Sequence, residues 1–253
     1  MDLGLRGKNV IITGSTAGIG RRIANLFAAE GANVAICSRS PESVDRAVKE
    51  ISLFADGNII GKPCNIKNKE EYEAWIEEMV EELGGVDIFV PNVSAGGGND
   101  SEKNWWNNFE VDILGTVRGV EAVLPHMEAS GGAITFIGST AGVETFMEPQ
   151  AYNALKAALV TYAKQLSQKH GENGIRFNTI SPGPIYFEGG AWEMIKTSNE
   201  KFHAITEKTH ALGRLGTPEE VANCVVFLSS PAASWVTGVN LVVDGGYTKR
   251  VQL

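Results

Sequence analysis

Tyr152 and Lys156 are the residues whose types and spacing point most directly to chemistry. They stand at the start of a run, residues 157–168, that has the composition of a helix. In a helix, side chains four residues apart share one face, with roots about 5–6 Å apart. A cation this close favours the phenolate form of a tyrosine, so Tyr152 can act as a general acid and base near neutral pH. The alternative is an ordinary amphipathic helix, on which the same spacing has no catalytic meaning.

A glycine-rich segment near the N-terminus predicts a diphosphate site. It lies between a predicted buried strand, residues 9–12, and a predicted helix, residues 21–30, that stops at Gly31. Glycines let backbone N–H groups approach phosphates, and a helix N-terminus favours their negative charge. The alternative is a tight turn without a ligand, although three glycines exceed what such a turn needs. The expected cofactor contacts are Gly14, Ser15, Thr16, Gly18, Ile19 and Gly20.

The end of the second predicted strand, residues 33–37, indicates which dinucleotide binds. In dinucleotide folds an acid about 20 residues past the glycines selects NAD, whereas an arginine accommodates the 2′-phosphate of NADP. Here Ser38 holds the place of the acid and Arg39 follows it. A guanidinium can bind phosphate bidentately, so the sequence predicts NADP(H) in preference to NAD(H). A solvated surface arginine is the alternative.

Strand and helix patterns alternate along the rest of the chain. Further strands are predicted at 58–61, 86–90, 133–137, 175–180 and 240–243, and further helices at 69–83, 105–124, 152–170 and 219–228. Near-continuous apolar strands that alternate with helices predict an α/β fold. We expect a single Rossmann-type domain over residues 1–253, with a doubly wound parallel sheet and helices on both faces. The stretch 187–212 has no strand character and is the expected substrate-binding lid.

Composition excludes several classes of function. The 253 residues carry a formal net charge of −8, so we expect neither nucleic acid nor an anionic membrane as a partner. The three cysteines and four histidines show no metal-ligand spacing, so we expect reduced thiols and no metal. With no signal peptide and no apolar run of about 18 residues, the expected location is the cytoplasm.

Taken together, these motifs resemble the short-chain dehydrogenases/reductases, including members of the 3-oxoacyl-[acyl-carrier-protein] reductase type. The resemblance runs from about residue 5 to residue 246. The glycine segment matches the cofactor motif of that family, and Ser139 stands 13 residues before Tyr152, as the family's catalytic serine does. Other matches are the Pro-Gly pair at 182–183 and the segments 213–216 and 243–246.

The resemblance implies hydride transfer between a nicotinamide and a carbonyl or alcohol carbon. In that family's pattern, Tyr152 exchanges the proton with the oxygen, Ser139 hydrogen-bonds the oxygen, and Lys156 binds the nicotinamide ribose. A homotetramer is also implied, built through the helices at 105–124 and 152–168 and the C-terminal segment. Further implied cofactor contacts are Asn65, Ile66, Asn92, Pro182, Gly183 and Ile185.

The chain departs from the family pattern at several positions. Residues 91–94 alter the turn after the fourth strand, Asn65 replaces an aspartate beside the adenine, and Phe187 replaces a threonine near the carboxamide. Asp112 stands where the family's proton-relay asparagine is expected. We expect its backbone to keep the relay and its carboxylate to add negative charge near Lys156. The alternative is that Asp112 points away from the site.

The sequence leaves the substrate open. An acidic chain is a poor match for acidic carrier proteins, so we favour a free ketone, aldehyde or secondary alcohol over carrier-bound 3-oxoacyl chains. A cofactor-binding sensor or scaffold without turnover is the alternative function, and the intact Ser139, Tyr152 and Lys156 favour the enzyme. Apolar residues that either line a pocket or belong to ordinary core are Phe146, Met147, Pro149, Trp192, Met194 and Phe202.

Overall fold

A seven-stranded parallel sheet forms the centre of the molecule in residues 2–145 and 148–251, the part of the chain that the computed structural model describes. The order of the strands is β3-β2-β1-β4-β5-β6-β7, and every neighbouring pair is parallel. The predicted doubly wound α/β sheet of Rossmann type is confirmed. The strands are β1 (Asn9–Ile12), β2 (Asn33–Ile36), β3 (Ile59–Gly61), β4 (Ile88–Val90), β5 (Gly132–Ile137), β6 (Ile175–Pro182) and β7 (Asn240–Val243).

Helices connect the strands and cover both faces of the sheet. A π-helix, Phe109–Leu114, joins α4 to α5, and short 3₁₀ helices lie at Thr140–Gly142, Gly171–Asn173 and Pro231–Ala233. Among the described residues, no helix is long and apolar enough to cross a membrane. The α-helices are α1 (Gly18–Ala29), α2 (Pro41–Ser52), α3 (Lys69–Leu83), α4 (Glu102–Asn108), α5 (Gly115–Met127), α6 (Ala151–His170), α7 (Ala191–Ser198), α8 (Glu200–Thr209) and α9 (Pro218–Ser229).

Two apolar layers hold the helices to the sheet. Ile12 packs with Phe27 of α1 in one layer, which also contains α2 and α9. Ile11 packs in the other layer, where Trp75 of α3 and Val123 of α5 are buried together with α6. Consecutive residues of a strand point to opposite faces, so both neighbours are buried when both faces are covered. This explains the near-continuous apolar strands in the sequence.

Three helices were not predicted, α2 and, within the stretch 187–212, α7 and α8, and one predicted helix has different bounds. α2 was not predicted, although Ser40 caps it by accepting the Ser43 N–H at 3.2 Å and Pro41 occupies its first turn. These residue types are ordinary signals for a helix start. The predicted helix 105–124 is a longer helical segment, 102–127, whose middle turns are the π-helix. No residue type marks a π-helix, so the sequence could not have shown it.

The order of the strands fixes where a ligand can bind. β1 and β4 are neighbours, with Ile12 opposite Val90, while the chain leaves them toward opposite edges of the sheet. In open α/β sheets, ligands bind at the carboxyl ends of the strands at such a reversal of strand order. The glycine segment follows β1 and residues 91–94 follow β4. Both predicted cofactor segments therefore lie at this crevice.

Candidate active site

The glycine segment turns tightly between β1 and α1. Gly14 and Gly18 have φ values of +62° and +54°, which disfavour residues with a Cβ. A Cβ at Gly20 would lie 2.3 Å from the carbonyl oxygen of Gly14 and 2.3 Å from Nδ2 of Asn92. The glycines are therefore required by a left-handed backbone at two positions and by close packing at the third.

The N-terminus of α1 has unused hydrogen-bond donors. Within the described chain, no acceptor takes the N–H groups of Thr16, Ala17 and Gly18. Ala17 provides no side-chain cap, and the first turn of α1 contains no acidic residue. Free N–H groups at the positive end of a helix dipole fit an anion such as the diphosphate of a dinucleotide. The residues present thus fit the predicted cofactor.

Two polar side chains brace this turn. Asn92 donates from Nδ2 to the carbonyl oxygens of Thr13 and Gly14, at 3.1 and 2.9 Å, and its N–H donates to the Thr13 hydroxyl at 3.1 Å. Ser15 is fully buried; its hydroxyl donates to the Ile12 carbonyl at 2.7 Å and accepts the Cys37 N–H at 3.1 Å. Both predicted cofactor residues use their polar side-chain atoms to support the backbone of the turn.

The segments predicted to hold the adenosine meet at the ends of β2 and β3. The Cys64 N–H donates to the Ser38 carbonyl at 2.9 Å, which brings Asn65 beside Ser38 and Arg39. Arg39 is exposed and makes no ion pair or hydrogen bond with any described residue. Asn65 accepts the Lys67 N–H on Oδ1 at 3.3 Å. Ile66, another predicted contact, is 7% exposed and packs in the core.

Tyr152 and Lys156 lie one turn apart at the start of α6. Nζ of Lys156 is 5.6 Å from the centroid of the Tyr152 ring. Tyr152 is half-buried, whereas Lys156 is only 2% exposed. The ammonium donates to the carbonyl oxygen of Ile137, the last residue of β5, at 2.8 Å. The structure thus fixes a desolvated cation near the phenol.

Ser139 enters the same site from the end of β5. Its hydroxyl accepts the Ala141 N–H at 3.1 Å and so caps the 3₁₀ helix Thr140–Gly142. That helix packs tightly on α6, because a Cβ at Gly142 would lie 2.7 Å from the Ala157 nitrogen and 2.8 Å from the Lys156 carbonyl carbon. The predicted serine, tyrosine and lysine are therefore brought to adjacent backbone segments.

Asp112 also faces this site. It belongs to the π-helix and is 1% exposed. Its Oδ1 lies 3.0 Å from Nζ of Lys156, and its Oδ2 accepts the Ala95 N–H at 3.0 Å. The alternative, in which Asp112 points away from the site, is not what the structure shows. The N–H of Ala95 and the carbonyl of Ile137 were not foreseen, since backbone groups leave no signal in residue types.

The segment after β6 passes over the cofactor crevice. Gly183 donates its N–H to the Val243 carbonyl at 3.0 Å, which extends the pairing of β6 with β7 beyond Pro182. Ile185 is 7% exposed and pairs with Gly216. The ring of Phe187 covers Gly18, because a Cβ there would lie 2.7 Å from the ring. Phe187 therefore touches the glycine segment.

The predicted lid contains α7 and α8. Trp192 stacks on Phe202 with ring centroids 5.9 Å apart, which holds the two helices together. Met194 is 61% exposed and Pro149 is also exposed. Of the residues named as pocket candidates, two lie outside the part of the chain that the structure describes: Phe146 and Met147.

Comparisons with known proteins extend over nearly the whole chain. A family model described as enoyl-(acyl carrier protein) reductase matches residues 14–248. Isoepoxydon dehydrogenase of Penicillium expansum is 37% identical over 97% of this chain and 96% of that protein. For 7alpha-hydroxysteroid dehydrogenase of Escherichia coli strain K12 the identity is 32%, over 97% of this chain and 96% of that protein.

A solved structure extends this likeness to three dimensions. L-sorbose reductase from Gluconobacter frateurii, complexed with NADPH and L-sorbose, has a TM-score of 0.91 and 30% sequence identity to this chain. The match covers 99% of this chain and 100% of the reductase chain. The fold of that enzyme is therefore shared from end to end.

Proposed function

Because this chain belongs to the short-chain dehydrogenase/reductase family and is an oxidoreductase of that type, we propose that it interconverts a ketone or aldehyde and an alcohol with NADP(H). The observation that carries the proposal is the buried Lys156 ammonium held 5.6 Å from the Tyr152 ring. A lysine is almost never fully buried unless it is paired, and buried ionisable groups in a cleft are candidates for functional sites. The glycine segment on the same crevice supports a dinucleotide partner.

The tyrosine, lysine and serine of the site each have a role in this reaction. When bound, the nicotinamide supplies or accepts the hydride. Tyr152 transfers the proton to or from the substrate oxygen, and the Lys156 ammonium favours the phenolate form that accepts it. Ser139 donates a hydrogen bond to the same oxygen, where negative charge develops as a ketone is reduced. Lys156 would also hold the nicotinamide ribose.

The proposed preference for NADP(H) over NAD(H) rests on Ser38 and Arg39. Arg39 is exposed at the end of β2, and no described residue neutralises its charge. A free guanidinium beside the adenosine end of the crevice suits a 2′-phosphate. L-sorbose reductase, a relative of the same fold, was crystallised with NADPH.

The proposed substrate is a free ketone, aldehyde or alcohol of small or medium size. The named relatives act on isoepoxydon, a 7alpha-hydroxysteroid and L-sorbose, none of which is attached to a carrier. The net charge of −8 is unfavourable for docking an acidic carrier protein. We assign residues 187–212 as the substrate lid. We also propose a homotetramer located in the cytoplasm, where Cys37, Cys64 and Cys224 would stay free thiols.

A substrate panel tests the function directly. Purified protein is mixed with NADPH and, separately, with ketones, aldehydes and a carrier-bound 3-oxoacyl chain, and the loss of reduced-nicotinamide absorbance is followed. The alcohols are tested with NADP in the opposite direction. We expect turnover with a free carbonyl compound and none with the carrier-bound chain. Tight NADPH binding without turnover across a broad panel would favour a cofactor-binding sensor instead.

A further inference from the structure

Asp112 and Lys156 form an ion pair that is almost completely removed from solvent. Their side chains are 1% and 3% exposed, and Oδ1 lies 3.0 Å from Nζ. Removing two charges from water costs several kcal/mol per ion, and the pair is tolerated only where geometry and further hydrogen bonds compensate. Here the second carboxylate oxygen accepts the Ala95 N–H, and the ammonium donates to Ile137. Both charges are thus held by other groups as well as by each other.

The pair joins three parts of the proposed site. Asp112 lies in the π-helix, Lys156 lies in α6, and Ala95 lies in the loop after β4. The backbone carbonyl of Asp112 accepts a hydrogen bond from the Thr116 hydroxyl at 2.7 Å, which stabilises the distorted turn. π-helical turns are rare and occur frequently at functional sites. This one aims a carboxylate at Lys156.

The ammonium has a limited number of donors. It carries three N–H groups, one of which is taken by the Ile137 carbonyl. Oδ1 of Asp112 makes the close ion pair but has no hydrogen bond of good angle, so it fixes the ammonium by charge and proximity. We infer that Asp112 is a positioning residue that holds the Lys156 ammonium between β5 and the π-helix. Its carboxylate also weakens the electrostatic stabilisation that the ammonium gives to the Tyr152 phenolate. This inference rests on the proposed function.

The electrostatic consequence has a definite sign. A positive charge near a phenol favours the phenolate, and a carboxylate 3.0 Å from that charge offsets part of its field. With Asp112 ionised, Lys156 should therefore stabilise the Tyr152 phenolate less than it would alone. Alcohol oxidation needs the phenolate as the proton acceptor, so its rate should rise at a lower pH when the carboxylate is removed.

Other charged groups on the elements packed against Lys156 are engaged elsewhere or exposed. Glu110 of the π-helix pairs with Lys67 at 2.9 Å and is 42% exposed. Arg176 of β6 donates to carbonyl oxygens at residues 228–230 and 236. The remaining charged groups, in the loop before α4, on α4 itself and on the 3₁₀ helix after α6, are exposed: Asp100, Glu102, Lys103 and Glu172. Asp112 is therefore the carboxylate that acts on Lys156.

The pH dependence of alcohol oxidation tests the inference. Asp112→Asn removes the charge and keeps the shape, and Glu110→Gln is the matched control, because it removes an exposed carboxylate from the same π-helix. With NADP saturating, we expect Asp112→Asn to move the rising limb of the profile down by about half to one pH unit, with less than about a tenfold change in kcat at the optimum. Glu110→Gln should leave the profile in place. If Asp112→Asn does not fold, Asp112→Ser replaces it.

Two outcomes would overturn the inference. An unmoved profile, or a move to higher pH, would mean that the carboxylate does not oppose Lys156. A loss of activity beyond a hundredfold at every pH would mean that Asp112 itself carries protons and is not a positioning residue.

A second measurement keeps the inference testable without turnover. The tyrosinate absorbance of the parent minus that of Tyr152→Phe reports the deprotonation of Tyr152. The same difference is then recorded between the Asp112→Asn variant and the double variant that carries both Asp112→Asn and Tyr152→Phe. A lower midpoint with Asp112→Asn supports the inference, and an equal or higher midpoint contradicts it. If no carbonyl compound is turned over, the proposed function fails while this titration still decides the role of Asp112.

Discussion

Single side chains of the proposed site depend on partners in the main chain. The carbonyl of Ile137 holds Lys156, the N–H of Ala95 holds Asp112, and Asn92 holds the carbonyls of the glycine segment. Backbone groups keep their place when a nearby side chain is replaced by one of equal shape. Conservative substitutions at the site should therefore change its chemistry more than its structure.

Tyr152 is the first residue to test. We expect Tyr152→Phe to bind NADPH nearly as the parent does and to lose about a thousandfold or more in kcat, because proton transfer and stabilisation of the oxygen are both lost. Steady-state rates and NADPH fluorescence measure the two quantities. Tyr162→Phe is the control, since Tyr162 lies on the same helix and stacks on Phe136 at 5.8 Å. Activity of Tyr152→Phe within tenfold of the parent would place the proton donor elsewhere.

Arg39 is tested through cofactor affinity. Arg39→Ala should weaken the binding of NADPH by about ten- to a hundredfold and that of NADH little, because a charged hydrogen bond is worth roughly 1.5–3 kcal/mol and NADH has no 2′-phosphate. Dissociation constants for both cofactors decide the matter. Arg46→Ala removes an exposed arginine from α2 and serves as the control. Equal weakening of both cofactors would show that Arg39 does not read the phosphate.

Among the elements, the start of α9 is held by a charged cap beside the crevice. The Glu220 carboxylate accepts a hydrogen bond from the Thr217 N–H at 2.9 Å. It also accepts hydrogen bonds from the two terminal nitrogens of Arg214, at 2.9 and 2.5 Å. These hydrogen bonds lower the pKa of Glu220 to about 2, and those from Arg214 make the largest contribution. Gly216, which lies between Arg214 and Thr217, pairs with Ile185. This cap therefore supports the segment that leads into the lid.

The cap predicts how stability depends on pH. A carboxylate whose pKa is lower in the folded protein than the roughly 4.3 of an unfolded chain stabilises the fold above that value and ceases to do so as the pH falls toward 2. The Glu220 side chain is 40% exposed, so solvent screens part of the effect. Glu220→Gln should lower the free energy of unfolding by about 1 kcal/mol at pH 7 and by much less near pH 2.

Urea unfolding at fixed protein concentration measures this difference at several pH values. The matched control is Glu219→Gln, whose carboxylate pairs with Arg22 at 2.6 Å on the exposed surface. Its effect should be about 0.5 kcal/mol or less at every pH. A constant difference between parent and Glu220→Gln from pH 7 to pH 2 would contradict the assignment of the cap.

At the scale of the whole molecule, apolar side chains are exposed along the β7 edge of the sheet. Trp235 is 98% exposed, and Phe227, Val239 and Leu241 are 36%, 39% and 36% exposed. An edge strand with apolar side chains is a surface that soluble proteins usually cover. A second copy related by a two-fold axis would place like surfaces together. The proposed homotetramer supplies such a partner, and Trp105 and Trp106 of α4 are exposed for a further contact.

Assembly is tested by light scattering at micromolar concentration. We expect a mass four times that of the 27.1 kDa chain. Trp235→Ser should weaken association by about 2 kcal/mol at each contact, or roughly thirtyfold, because central tryptophans dominate interfaces. Leu53→Ser removes a side chain that is 86% exposed near the opposite edge of the sheet and should leave the mass unchanged. A fully active monomer would rule out the tetramer.

The sequence by itself determined the features that depend on local patterns. Apolar runs and helical periodicity predicted all seven strands and most of the helices, because burial on two faces leaves a direct record in residue types. The glycine segment and the Tyr152–Lys156 spacing were equally readable, since each proposed role needs particular residues within one or two turns. The start of α2 is also a local pattern, because Ser40 and Pro41 are ordinary residues for a helix N-terminus.

Only the tertiary structure decided which distant groups meet. Asp112 and Lys156 belong to different helices, and their 3.0 Å contact depends on a π-helix that no residue pattern predicts. The main-chain groups of Ile137 and Ala95 complete the pair, and main-chain groups are the same in every sequence. Sequence can therefore name the residues that carry charge, but the balance of charge at Tyr152 depends on distances that folding alone sets.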